Sequence, residues 1–92
     1  HEIMYFLTED NVIRIKLRGD RNVSTTKLLK FYEDLLEGDT SFLRVSKQFI
    51  LNLEFLKSFN PKTDVAVLTD GSAIQVSRRK ASELLSVLSG KR

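Results

Sequence analysis

The sequence predicts a mainly β, α+β fold in which antiparallel β-sheets are flanked by two amphipathic helices. Three observations predict it. Short apolar stretches with alternating polarity are separated by turn-forming clusters. Only two segments carry the three- and four-residue apolar spacing of a helix. A chain of 92 residues with 41% apolar and 29% charged side chains fits one domain with one modest core.

Ile3 to Leu7 reads as a short apolar strand, Thr8-Glu9-Asp10-Asn11 as a polar turn, and Val12 to Arg18 as a half-buried strand. In that second strand Ile13, Ile15 and Leu17 alternate with a basic outer face of Arg14, Lys16 and Arg18. Gly19-Asp20-Arg21-Asn22 supplies a turn, and a short segment at Val23 precedes Ser24-Thr25-Thr26, which offers a helix N-cap. Leu28, Leu29, Phe31, Tyr32, Leu35 and Leu36 then give one wide apolar helical face, with Gly38 where a C-terminal cap belongs, so a helix is placed near 26-37.

The middle of the chain contains a conflict of phase. Lys47 falls in step with Leu43, Val45, Phe49 and Leu51, so an unbroken strand would bury its ammonium, at a cost of several kcal/mol. The backbone is therefore expected to break phase at Ser46-Lys47-Gln48 and to carry those three side chains on an exposed loop. Phe55, Leu56 and Phe59 continue as an apolar edge up to the Asn60-Pro61-Lys62 turn. Asp70-Gly71 then joins two alternating strands, Val65/Val67 and Ile74/Val76, as a β-hairpin. Ser77 is a good N-cap for a last helix near 78-88, built on Ala81, Leu84, Leu85 and Leu88 and fraying into Gly90-Lys91-Arg92.

Charge is distributed unevenly. Residues 1 to 43 carry six basic and eight acidic side chains, whereas residues 44 to 92 carry nine basic and four acidic ones, for a total of +3. A basic half suits a polyanion, because each cation laid against a phosphate releases condensed counterions. The sharpest local feature is Arg78-Arg79-Lys80 directly after the Ser77 cap. A helix N-terminus already carries about half a positive charge and disfavours each added cation by roughly 0.3 to 1 kcal/mol. Three cations that break this rule, together with free backbone N–H groups, make an anion site suited to a phosphate or to guanine O6 and N7. The bland alternative is a solvated charge run.

Several classes are disfavoured. With no cysteine, and with a single histidine at position 1, disulfide frameworks, cysteine-ligated metals and most other metal sites are excluded, and no cofactor is expected. The chain has no nucleophile motif, glycine-rich phosphate loop or obvious carboxylate pair, so it is not expected to be an enzyme. No apolar run approaches the roughly 18 to 20 residues needed to span a bilayer, and a cytoplasmic protein without membrane contact is expected.

Taken in sequence, Phe42-Leu43-Arg44-Val45-Ser46-Lys47-Gln48-Phe49-Ile50-Leu51-Asn52 resembles the signature F-x-R-V-H-R-S-(Y/F)-(I/V)-(V/L)-N of the LytTR-type DNA-binding domains of bacterial response regulators. Phe42, Arg44, Val45, Phe49, Ile50 and Asn52 fit in place. Leu68 to Arg79 is similar to that family's closing dG-x-x-(I/L)-x-V-S-R-R element at the expected distance, and Ile3 to Leu17 to its opening strand pair. The likeness spans about Ile3 to Leu88. The family's first strand is expected to be missing before Ile3, and the single domain 1-92 to be a fragment of a longer regulator with an upstream receiver or sensor domain. The departure lies at the centre, where the family's His-Arg-Ser is Ser46-Lys47-Gln48, so the base preference of relatives is not carried over.

The resemblance implies sequence-specific binding of double-stranded DNA for transcription regulation, through loops set into successive major grooves, often with bending, and typically as a dimer on direct repeats. By position, it places DNA contacts on Asn11, Lys47, Gln48 and Arg78, with Arg79 and Lys80 as phosphate partners; Arg44 and Asn52 serve structure as much as DNA. This reading requires the cations to converge on one track, with the Arg78 guanidinium and the Lys47 amine on the same side of the molecule and neither tied up by internal carboxylates. The rival is a protein-interaction or dimerisation module that uses the apolar edge Phe55, Leu56 and Phe59.

Overall fold

The computed structural model describes residues 2–90; His1, Lys91 and Arg92 lie outside the described residues, so the expected frayed terminus is described only as far as Gly90. Among the described residues, eight strands form two antiparallel sheets, joined by two α-helices and one 3-10 turn, so the expected mainly β class with helical flanks is what is found. The strands are β1 (Ile3–Glu9), β2 (Val12–Leu17), β3 (Asn22–Thr25), β4 (Phe42–Arg44), β5 (Phe49–Asn52), β6 (Leu56–Asn60), β7 (Val65–Leu68) and β8 (Ala73–Gln75). Helix α1 (Leu29–Leu35) comes after β3, and α2 (Arg78–Ser89) closes the chain. The larger sheet runs β3-β2-β1-β5-β4 and the smaller one β6-β7-β8.

The β1–β2 hairpin turns on Asp10 (φ 52°) and Asn11 (φ 66°), both in the left-handed region that tight hairpin turns require and that Asp and Asn tolerate best. The β7–β8 hairpin turns as expected at Asp70-Gly71, with Gly71 at φ 91° and the Asp70 carboxylate accepting from the Ser72 N–H at 2.9 Å.

The expected helix near 26-37 is shorter, and its start differs. Thr25 pairs with Ile13 as the last residue of β3, and its hydroxyl accepts from the Lys27 N–H at 3.3 Å. The Ser-Thr-Thr cluster is thus consumed by strand pairing and a turn, and Leu28, in extended geometry, precedes the first helical residue. The face is also narrower than its periodicity suggests: Leu29 is buried, and Tyr32 and Leu36 pack partly, but Leu28, Phe31 and Leu35 are exposed. Helix α2 keeps its expected start, with Ala81 and Leu84 buried and Leu85 and Leu88 at the surface.

In place of one core there are two, one on each face of the larger sheet. Phe6, Ile13 and Ile50 meet Leu29 of α1 on one side. On the other, Met4, Val45 and Leu51 meet Ala66, Leu68, Ile74 and Val76 of the small-sheet region and Ala81 and Leu84 of α2. The adjacent residues Ile50 and Leu51 serve opposite cores, as alternation in a strand buried on both faces dictates. A register shift between Ile3 and Tyr5 lets Met4 and Tyr5 both contribute to the second core, while Ile3 and Phe6 serve the first. Phe55, Leu56 and Phe59 are half-buried against the second core, so the apolar edge of the rival reading is already covered from within.

Candidate nucleic-acid interface

The β4–β5 connection breaks strand phase where Lys47 demanded it. Lys47 and Gln48 are exposed, whereas Ser46 is half-buried, because its hydroxyl accepts from the N–H groups of Gln48 at 3.1 Å and Phe49 at 3.2 Å. The backbone of this loop is held from three sides. Arg44 donates from Nε to the Ser46 carbonyl at 3.1 Å, from Nη2 to the Lys47 carbonyl at 2.9 Å and from Nη1 to Glu33 of α1 at 3.1 Å. The Gln48 carbonyl accepts from Thr8 of β1 at 2.8 Å, and the Val45 carbonyl accepts from Ser77 at 2.8 Å. A loop so braced presents the Lys47 and Gln48 side chains on a fixed backbone.

The Ser77 side chain caps α2 as expected, accepting from the Lys80 N–H at 3.3 Å. Among the three cations beyond the cap, Arg79 is exposed and makes no ion pair among the described residues. Lys80 pairs with Glu83 one turn on at 3.2 Å. Arg78 pairs with Asp64, its Nε 3.0 Å from Oδ2, yet its side chain stays 83% exposed.

Two adjoining grooves connect these groups. One is lined by Lys47, Arg79 and Lys80 over Arg44 and Ser77. The other is lined by Asn11, Lys27, Lys30 and Lys47 beside Thr8. Lys47 belongs to both, so Asn11, Lys47, Arg79 and Lys80 lie along one continuous strip. Arg78 and Gln48 line neither groove; Arg78 turns instead toward the β6–β7 connection that carries Asp64. The requirement that no cation be tied to a carboxylate therefore holds for Lys47 and Arg79 and fails for Arg78 and Lys80. Lys47 converges with Arg79 and Lys80, but the expected convergence of Lys47 with Arg78 is not found, because Arg78 is drawn to Asp64.

The basic outer face of β2 is quenched in part. Arg14 pairs with Glu9 at 3.1 Å and Lys16 with Asp20 at 3.3 Å, while Arg21 pairs with Glu2. Sequence reasoning missed Lys27 and Lys30, which fell within the helix expected near 26-37 and were given no role. The cue was present: where a helix starts at Leu29, Lys27 belongs to the approach and not to the barrel of the helix. Asp64, to which sequence reasoning gave no part in the site, is a buried partner of Arg78. Asn52 is fully buried, donating from Nδ2 to the Ile3 carbonyl at 2.8 Å and accepting from the Glu54 N–H at 2.9 Å, so in this fold it serves structure. No group of three or more metal-ligating side chains is found among the described residues, nor is any helix long and apolar enough to cross a membrane.

A β-rich module that bears exposed cations on a braced loop and at a capped helix mouth belongs to the class of small nucleic-acid-binding domains. The chain is a member of the LytTr DNA-binding domain family, whose profile matches residues 1–89. It is 34% identical over 90 residues to the sensory transduction protein LytT of Bacillus subtilis (strain 168), a match that covers 95% of this chain and 36% of that protein. The chain thus spans about a third of the length of that relative. Its fold is similar to the solved LytTr DNA-binding domain from Bacillus cereus, with a TM-score of 0.83 and 26% identity over 95% of this chain and 81% of that one. The resemblance seen in the motifs and the expected fold both stand.

Proposed function

We propose that this DNA-binding domain reads double-stranded DNA sequence-specifically, as the output module of a longer two-component response regulator, and that it does so without enzymatic chemistry. The observation that carries the reading is the strip in which Lys47 joins Asn11 on one side to Arg79 and Lys80 on the other. Phosphate contacts position a protein on the duplex and base contacts specify the sequence. Arg79 and Lys27 supply the positioning with no ion pair to break among the described residues, and Lys80 and Lys30 join them by giving up Glu83 and Asp34. Lys47 and Gln48 face one major groove, where lysine addresses guanine and glutamine addresses adenine. Arg78 reads a base or its adjacent phosphate from the helix mouth, and Asn11 contacts the duplex from the β1–β2 turn. Two copies on direct repeats, in a regulator whose other domain receives the signal, complete the proposal.

The test is fluorescence anisotropy with a duplex selected from a random pool and with its scrambled counterpart. With about four cations on phosphate, log K falls against log salt with a slope of about −3 to −4. Arg78→Ala costs about 1 to 3 kcal/mol on the selected duplex only. Equal affinity for both duplexes, or a slope near zero, would overturn the reading.

A further inference from the structure

We propose that Glu33 is a positioning residue for DNA recognition: acting through Arg44, it fixes the stretch of backbone from which Lys47 enters the groove of the duplex. The inference rests on the assignment of Lys47 to base reading made above.

Glu33 lies in α1, and its carboxylate accepts from Arg44 Nη1 at 3.1 Å. Both side chains are half-buried, at 38% and 24% exposure. The rest of the guanidinium is committed to the loop, with Nε on the Ser46 carbonyl at 3.1 Å and Nη2 on the Lys47 carbonyl at 2.9 Å. A guanidinium is a rigid planar fork, so holding one nitrogen sets the direction of the others. Glu33 thereby determines where two successive carbonyls of the loop stand. Its own place is set by the core, where Leu29 of α1 meets Phe6, Ile13 and Ile50 and the Tyr32 ring packs on Phe6 at 4.9 Å. A continuous set of contacts therefore runs from the core through α1, Glu33 and Arg44 to the backbone of Lys47.

This placement carries an electrostatic penalty that asks for a reason. Glu33 lines the same groove as Lys47, Arg79 and Lys80, and an anion there opposes the approach of phosphate. The pairs Lys30–Asp34 and Lys80–Glu83 join neighbours one turn apart on a single helix, an arrangement worth little and open to exchange for phosphate. Glu33 and Arg44 are eleven positions apart on different elements, and the cation of the pair also carries two loop carbonyls. Recognition needs a side chain held within about 0.5 Å of its productive geometry. Bracing of the Lys47 backbone accounts for a carboxylate in a groove that otherwise favours phosphate.

The experiment measures affinity for the selected and the scrambled duplex, over a salt series, with the domain and its E33A, E33Q, R44A, E33A/R44A, K47A and E33A/K47A variants. Alanine is the best helix former, so E33A does not weaken α1 through propensity, and thermal melts establish that each variant folds. E33A is expected to lower the ratio of selected to scrambled affinity about three- to tenfold, up to the value of one base contact. Scrambled binding does not fall, since a negative charge leaves the groove. E33Q keeps an acceptor for Arg44 and holds the ratio within about twofold of the parent. In the R44A and K47A backgrounds E33A lowers the ratio no further; where R44A does not fold, E33Q and the K47A background decide. Affinities that fall together mark a destabilised domain, and affinities that rise together mark charge alone; either leaves the ratio unchanged and overturns the role of Glu33. So does an E33Q loss equal to that of E33A, or an E33A loss that persists without Lys47. A ratio that K47A itself does not alter removes the base-reading assignment of Lys47, and this inference with it.

Discussion

Arg44 and Asn52 show how one side chain in a motif can have two readings. Both stand where DNA-binding relatives have the same residue type, yet the amide of Asn52 ties β1 to the start of the 3-10 turn, and the guanidinium of Arg44 spends three hydrogen bonds inside the domain. Spacing alone does not separate these uses, because a carbonyl oxygen and a phosphate oxygen ask the same of a donor. Asn52→Ala leaves the Ile3 carbonyl and the Glu54 N–H without partners, and is expected to cost about 1 to 3 kcal/mol in a urea titration while leaving the ratio of selected to scrambled binding in place. Asp70 yields a prediction in pH. Burial pushes its carboxyl upward, but the N–H and hydroxyl of Ser72 and the charge of Lys16 outweigh this and hold it below the usual carboxylate range. A carboxyl whose folded value is lowered adds stability above its unfolded value, near 3.9, and loses it as the pH falls through the folded one. Asp70→Asn is therefore expected to flatten the dependence of the melting temperature on pH below about 4.

At the level of elements, the two hairpins and α2 were legible because their signals are local. Asp10-Asn11 and Asp70-Gly71 suit positive φ, and Ser77 can cap only the helix on its C-terminal side. The first helix was legible as a helix but not in its extent. Ser24, Thr25 and Thr26 look like a cap from the sequence, and only the pairing of β3 with β2 shows that Thr25 is spent in a sheet. Apolar periodicity likewise fails to say which leucines find a neighbour. Leu29 is 5% exposed and Leu35 66%. Leu29→Ala is expected to cost about 2 to 5 kcal/mol, and Leu35→Lys to change stability by no more than about 0.5 kcal/mol; thermal melts of the two variants check the contrast. The candidate strip was half legible. Lys47 and the α2 cations declared themselves by breaking local rules, whereas the contribution of Lys27 and Lys30 depends on where α1 begins, and the pairing of Arg78 with Asp64 joins residues that are fourteen positions apart.

Across the whole molecule, burial of the larger sheet on both faces makes the two cores mutually dependent, since a strand displaced for one is displaced for the other. Ile50→Ala and Leu51→Ala remove side chains from opposite cores. Each is expected to cost about 2 to 5 kcal/mol and, monitored by near-ultraviolet and far-ultraviolet dichroism together, to shift one shared unfolding transition without splitting it. A split transition would show that the α1 side and the α2 side unfold separately. The hydrogen bond from the Ser77 N–H to the Val45 carbonyl also has a geometric consequence. By stitching the loop that bears Lys47 to the mouth of α2, it fixes the pitch between those two basic elements. Under the proposed function, side chains exchanged at either place change the letters of a typeface while the line spacing stays the same.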